Sequence, residues 1–156
     1  MSERRFKKIK SNGGKVILVY EQKNREGIWD TYTIESTEAP APSFNNAIQG
    51  MREPLLVETE LFGLVDPLHI TVGGVSISHA SGIVGLVISG TRSLKRSGAP
   101  LVINSPHKPA EPYSEGGDPD LCLQGETVDA LDALITQAEL YLEGERAQTD
   151  LFKKAS

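Results

Sequence analysis

His69, His79 and His107 are the only histidines, and no two of them stand at the i, i+4 spacing that puts a pair of imidazoles on one helix face to hold a metal. His69 and His79 could share a strand or lie on neighbouring ones. There a metal pair competes with the commoner outcome, a strand histidine satisfied by hydrogen bonds. Ser76, Ser78 and Ser81 flank His79, yet the Gly-x-Ser-x-Gly elbow that exposes a nucleophilic serine is missing. Glu115, Asp118 and Asp120 could share a divalent ion, although carboxylates in a Pro- and Gly-rich loop are more often solvated. Gly73-Gly74 and Gly116-Gly117 lack the Lys-Ser/Thr or the strand-to-helix context of a phosphate loop. No catalytic residue, metal ligand or cofactor is expected from these positions.

The residue types are better suited to contact with nucleic acid. Residues 1–25 hold Arg4, Arg5, Lys7, Lys8, Lys10, Lys15, Lys23 and Arg25 against Glu3 and Glu21, whereas residues 105–156 carry eleven acidic and four basic side chains. A basic segment attracts phosphates and an acidic one repels them, so the net charge of −5 conceals a polarity along the chain. The competing reading is a solvated strand edge at one end and a solvated helix face at the other. Arg4, Lys7, Lys8, Lys10 and Lys15 would line a phosphate-tracking groove together with Arg92, Lys95 and Arg96, provided the first hairpin and the 92–96 loop share one side. Single-strand binders add aromatic stacking, and Trp29 and Tyr32, with Phe6 and Tyr20, fall on the opening strands.

The elements that must position these residues follow from periodicity. Residues 6–10 and 15–20 flank Ser11-Asn12-Gly13-Gly14 and predict a hairpin, and the alternation over residues 29–35 predicts a third strand. Pro40 and Pro42 make residues 38–42 an extended link. Ser43 is the expected N-cap of a helix carrying Phe44, Ala47, Ile48, Met51, Leu55 and Leu56, with Pro54 marking a kink or a second start. Residues 68–78 predict a strand with a bulge or a tight bend at Gly73-Gly74, residues 83–89 a more central strand, and residues 100–104 a short one. Residues 105–125 predict a long irregular segment. From Glu126 to Gly144 the spacing of Val128, Leu131, Leu134, Ile135, Ala138, Tyr141 and Leu142 predicts an amphipathic helix.

The order is βββαβββα, an α+β domain with a mostly antiparallel sheet of five or six strands, one helix after strand 3 and one at the C-terminus. The helix between strands 3 and 4 also admits an oligonucleotide-binding (OB)-like barrel as the alternative. Residues 1–144 are expected to form the one domain and residues 145–156 a flexible tail.

In that tail Gln148-Thr149-Asp150-Leu151-Phe152 resembles the pentapeptide by which bacterial polymerases and mismatch-repair proteins dock on the β sliding clamp. The resemblance implies that Gln148 hydrogen-bonds at the entrance of the clamp pocket, Leu151 and Phe152 fill an apolar cleft, and Asp150 meets an acidic preference. Thr149 departs from the leucine often found at the second position. Two adjacent apolar side chains in a polar tail make physical sense as anchors for a partner. They could instead fold back on the domain as a hydrophobic staple. The body of the chain, on the residues of 83–88, 101–109 and 144–148, is similar to small, mostly uncharacterised proteins of phage replication and recombination modules.

With 156 residues the chain is long enough to bury a core without disulfides, and the single Cys122 excludes an intrachain disulfide. Cys122 is expected to be a small buried side chain. No signal peptide or membrane span is read, so the expected compartment is the cytoplasm of a bacterial host cell. The function expected is a non-enzymatic accessory of phage or bacterial DNA replication, recombination or repair, tethered to the sliding clamp and touching single-stranded DNA. A phage clamp competitor that inhibits host replication and a metal-dependent nuclease are the alternatives.

Overall fold

In a computed structural model of the chain, which describes residues 4–12 and 14–144, the three opening strands are β1 (Arg4–Asn12), β2 (Lys15–Lys23) and β3 (Trp29–Ser36). They form an antiparallel meander, with Ile9 opposite Leu18 and Leu18 opposite Ile34. Next come α1 (Pro42–Gln49) and α2 (Arg52–Glu58), then β4 (Ile70–Ala80), β5 (Ile83–Arg92), β6 (Leu101–Asn104), the two-residue β7 (Lys108–Pro109) and α3 (Gly125–Leu142). The sheet order is β3-β2-β1-β4-β5-β6, with β7 also pairing β5, and every ladder is antiparallel. The fold is α+β, as the sequence predicts. The sheet is not closed into a barrel, so the OB-like alternative does not hold.

The β4–β5 hairpin turns through Ser81 and Gly82, both at positive φ (53° and 75°). Two positive φ values in a two-residue loop match the right-handed twist of the flanking strands. The expected bulge is present, since the β4–β5 register slips between Val72 and Gly74. It leaves Val72 beyond the end of the β1–β4 ladder, where the Gln49 side chain takes the place of a strand. Its Nε2 donates to the Val72 carbonyl at 3.0 Å, and its Oε1 accepts from the Val72 amide at 3.0 Å.

Both helical layers lie on one face of the sheet. Phe6, Ile9, Val16, Leu18, Ile70, Val72, Val75, Ile77, Leu86 and Ile88 meet Phe44, Ile48, Met51, Leu55 and Leu56 from α1 and α2, and Leu131, Leu134, Ala138 and Tyr141 from α3. Each large aliphatic side chain buried this way contributes about 1.5–3 kcal/mol relative to exposure. The expected α3 stripe is the buried one, with Val128, Ile135 and Leu142 at its half-buried margin.

Two local features differ from the expectation, and at Pro54 the second of the two expected alternatives holds. Ser43 is not the N-cap of α1. Ala41 occupies that position with no side-chain cap bond, Pro42 starts the helix with the fixed φ it needs, and the Ser43 hydroxyl donates to Gln137 Oε1 of α3 at 2.8 Å. The helical run breaks at Gly50 and restarts with Pro54 in the first turn of α2. Residues 105–125 are better anchored than an irregular loop. Ser105 is buried and exchanges bonds with Ile88, its amide to the carbonyl at 2.8 Å and its Oγ accepting from the amide at 2.7 Å. Ala110 then donates to the Val84 carbonyl, Leu123 to the Pro109 carbonyl, and Cys122 is buried as expected.

Candidate nucleic-acid interface

Helices cover one face of the sheet among the described residues, and the other is open. Its side chains follow from register. Lys8 lies between Val19 of β2 and Ser76 of β4, and Lys10 between Ile17 and Gly74. A Cβ built on Gly74 would stand 2.8 Å from Lys10 Cγ and 2.4 Å from the Ile9 carbonyl oxygen, so the lysine stem lies across a position that only glycine leaves free. Neither Lys8 nor Lys10 forms an ion pair among the described residues. Lys15, also on this face, is bound to Glu35 at 3.0 Å, an exposed pair that water and salt screen. Beside Lys10, where β1 and β4 part, a cleft of about 340 Å³ is lined by Ser11, Thr71, Ser89, Thr91 and Val102 without a charged group.

Trp29 occupies the far end of the same face, opposite Lys23 in the β2–β3 ladder. The Arg5 guanidinium sits 3.9 Å from the ring centre and donates to Glu21 Oε1 at 2.8 Å, while Lys23 Nζ lies 5.2 Å from the same ring. The indole is thus already a cation–π platform with two cations close to its ring.

The expected basic and aromatic set does not assemble as one groove. A bulge between Phe6 and Lys8 resets the alternation of β1. Lys8, Lys10, Lys15 and Trp29 share the open face, and Lys7 is the extra residue of the bulge. Arg4 points to the helix-bearing side, 5.3 Å from the Tyr20 ring, and Tyr32 stacks on Tyr20 on that side at 5.5 Å. Phe6, which faces the core, lies 6.0 Å from Tyr20. The four aromatics therefore divide between the two faces. Arg92 ends β5 opposite Ile70, at the same end of the sheet as Lys15 but beyond β4. With Lys95, Ser93, Leu94 and His69 it lines a cleft of about 370 Å³, and Arg96 is exposed next to it. The docking residues Gln148, Asp150, Leu151 and Phe152 lie outside the described residues.

Arg5 belongs to the open face although strict alternation in β1 misplaces it, whereas Lys23 follows from unbroken alternation in β2. A signal was available: Phe6 and Ile9 are the only apolar residues of β1, and they cannot both turn to the core at a spacing of three unless one residue bulges. The histidines also find partners that spacing does not show. His79 Nε2 meets the Phe6 carbonyl at 2.9 Å, the satisfied strand histidine of the expectation. Ser78 Oγ lies 2.8 Å from Nε2 of His107, not of His79, directly over Gly85. Asp118 Oδ1 accepts from the Asp120 amide at 2.9 Å, and no group of three or more His, Cys, Asp or Glu suited to a metal gathers among the described residues.

Compared with known proteins, the chain matches no protein-family model, no curated protein and no solved structure.

Proposed function

We propose that the chain is a non-enzymatic accessory protein of phage or bacterial DNA replication, recombination or repair. It binds single-stranded DNA across the open face of its sheet and is carried to the sliding clamp by Gln148, Asp150, Leu151 and Phe152. The observation that carries this reading is the pair Lys8 and Lys10 at the middle of an uncovered sheet face, with no carboxylate of the described residues bound to either. Mixed apolar and hydroxyl neighbours, Val19, Ile17, Val87, Ser76 and Thr33, make that face wettable and shallow, suited to an extended chain more than to an enclosed ligand. Trp29 at the end of the track offers a ring on which a base can stack.

The test is binding of a labelled single-stranded oligonucleotide over a salt series. Affinity should fall steeply as salt rises, because each lysine that neutralises a phosphate releases a counterion. Absence of binding at low salt would remove the DNA-touching part of the proposal.

A further inference from the structure

At the rim of the sheet, Arg92, Ser93 and Lys95 face His69 across the cleft of about 370 Å³. Backbone geometry holds the two sides together, since the Ser93 amide donates to the His69 carbonyl at 3.2 Å. No acidic side chain of the described residues lines this cleft. Arg92 is set apart further: its Nε is the one buried side-chain nitrogen or oxygen among the described residues that has no hydrogen-bond partner. A half-buried guanidinium kept in place for structural reasons is ordinarily matched by a carboxylate or carbonyls, because an unmet buried donor is costly. Among the described residues nothing supplies a countercharge to Arg92 or an acceptor for its Nε.

We infer that the cleft formed by His69, Arg92, Ser93 and Lys95 binds a phosphate monoester, and, resting on the nucleic-acid reading above, that this group is the terminal phosphate of a bound strand. Two cations match the double charge of a monoester better than the single charge of an internal phosphodiester. The guanidinium offers a planar fork of donors to two oxygens, Lys95 a mobile ammonium, and Ser93 and His69 further hydrogen-bonding groups. The position suits a strand end. Two strand spacings across and three residues along separate the Arg92 backbone from that of Lys10, roughly 14 Å from the usual sheet dimensions, and the Arg92 side chain, in phase with Leu86 and Ile88, lies on the helix-bearing side of the rim. A strand lying over Lys8 and Lys10 can turn over the rim and present its last phosphate there.

The experiment compares oligonucleotides of one sequence bearing a 5′-phosphate, a 3′-phosphate or free hydroxyls at both ends, and separately titrates inorganic phosphate and acetate onto the protein by NMR. The expected result is about tenfold tighter binding of one phosphorylated strand. That increment should vanish in Lys95→Ala and in Arg92→Lys, while binding of the hydroxyl-ended strand is unchanged. Inorganic phosphate should shift the resonances of residues 69 and 92–95 where acetate does not. Equal binding of all three strands overturns the strand-end assignment, and equal effects of phosphate and acetate overturn the monoester assignment. Binding of inorganic phosphate with no binding of any strand supports the cleft as a site for a free phosphomonoester and removes only the nucleic-acid reading. Lys95→Ala leaves the β5 ladder and the core untouched, so a loss seen in that variant is not a failure to fold.

Discussion

The Arg5 guanidinium lies 3.9 Å from the centre of the Trp29 ring while it is also bound to Glu21 at 2.8 Å. One side chain therefore screens the indole and neutralises the nearest carboxylate on the open face.

Trp29 is the only tryptophan, so its fluorescence reports on this face alone. Single-stranded DNA that stacks on the ring should quench the emission, and Arg5→Ala, which uncovers the ring and frees Glu21, should weaken binding several-fold with a red-shifted emission in the free protein. An emission spectrum unchanged at saturating DNA would exclude stacking at Trp29 and leave the face as an electrostatic track only.

On the proposed reading, Lys8 and Lys10 carry the salt dependence of strand binding. The double substitution Lys8→Ala and Lys10→Ala should lower the slope of log affinity against log salt by about 1.4, from about 0.7 for each single-strand phosphate no longer neutralised. Neither lysine touches the core, so the melting temperature should stay within a few degrees. The idea is falsified if the slope is unaltered.

Glu58 is the structural counterpart of these open cations. The residue is 2 % exposed, and its carboxylate ties α2 to β7 and α3 through three bonds: Lys108 Nζ at 3.0 Å from β7, the Gln124 amide at 2.9 Å at the start of α3, and the Thr127 hydroxyl at 2.8 Å one turn further on. Removing one member of such a buried pair leaves the other uncompensated, at a cost of about 3–5 kcal/mol. Glu58→Ala should lose stability of that order in urea unfolding, with residues 108–127 losing hydrogen-exchange protection first. Lys108→Ala should cost less, because Lys108 is partly exposed and Glu58 keeps its two other donors.

Gln49 offers a sharper test of backbone accounting. Gln49→Leu keeps the volume but strips partners from both the amide and the carbonyl of Val72, which should cost about 1–3 kcal/mol for each group left unpaired. Gln49→Glu restores only the acceptor and should fall between wild type and leucine. Equal stability of all three proteins would mean that water replaces the glutamine at no cost.

For the tail, Leu151→Ala with Phe152→Ala should abolish capture by purified sliding clamp while single-stranded DNA binding persists. Undiminished capture would sink the docking assignment.

Local chemistry by itself determined most of the architecture. A β-rich run set β2, alternation set β3 and β4, a continuous apolar run set β5, the Gly73-Gly74 pair marked the bulge of β4, and the apolar stripe of α3 set which face is buried, because these depend on side chains a few residues apart. The basic cluster at the N-terminus was equally legible as residue types. Only the tertiary structure decided which of those cations act together. The β1 bulge turns Arg5 and Lys8 to one face and Arg4 to the other, and strand pairing sets Lys10 across Gly74, Ser78 under His107, and Arg92 beside His69. Those pairings join residues tens of positions apart, and a one-residue slip in register exchanges the faces of a whole strand. No short-range pattern records such a choice, since it rests on how the two sides of the sheet pack when the strands meet.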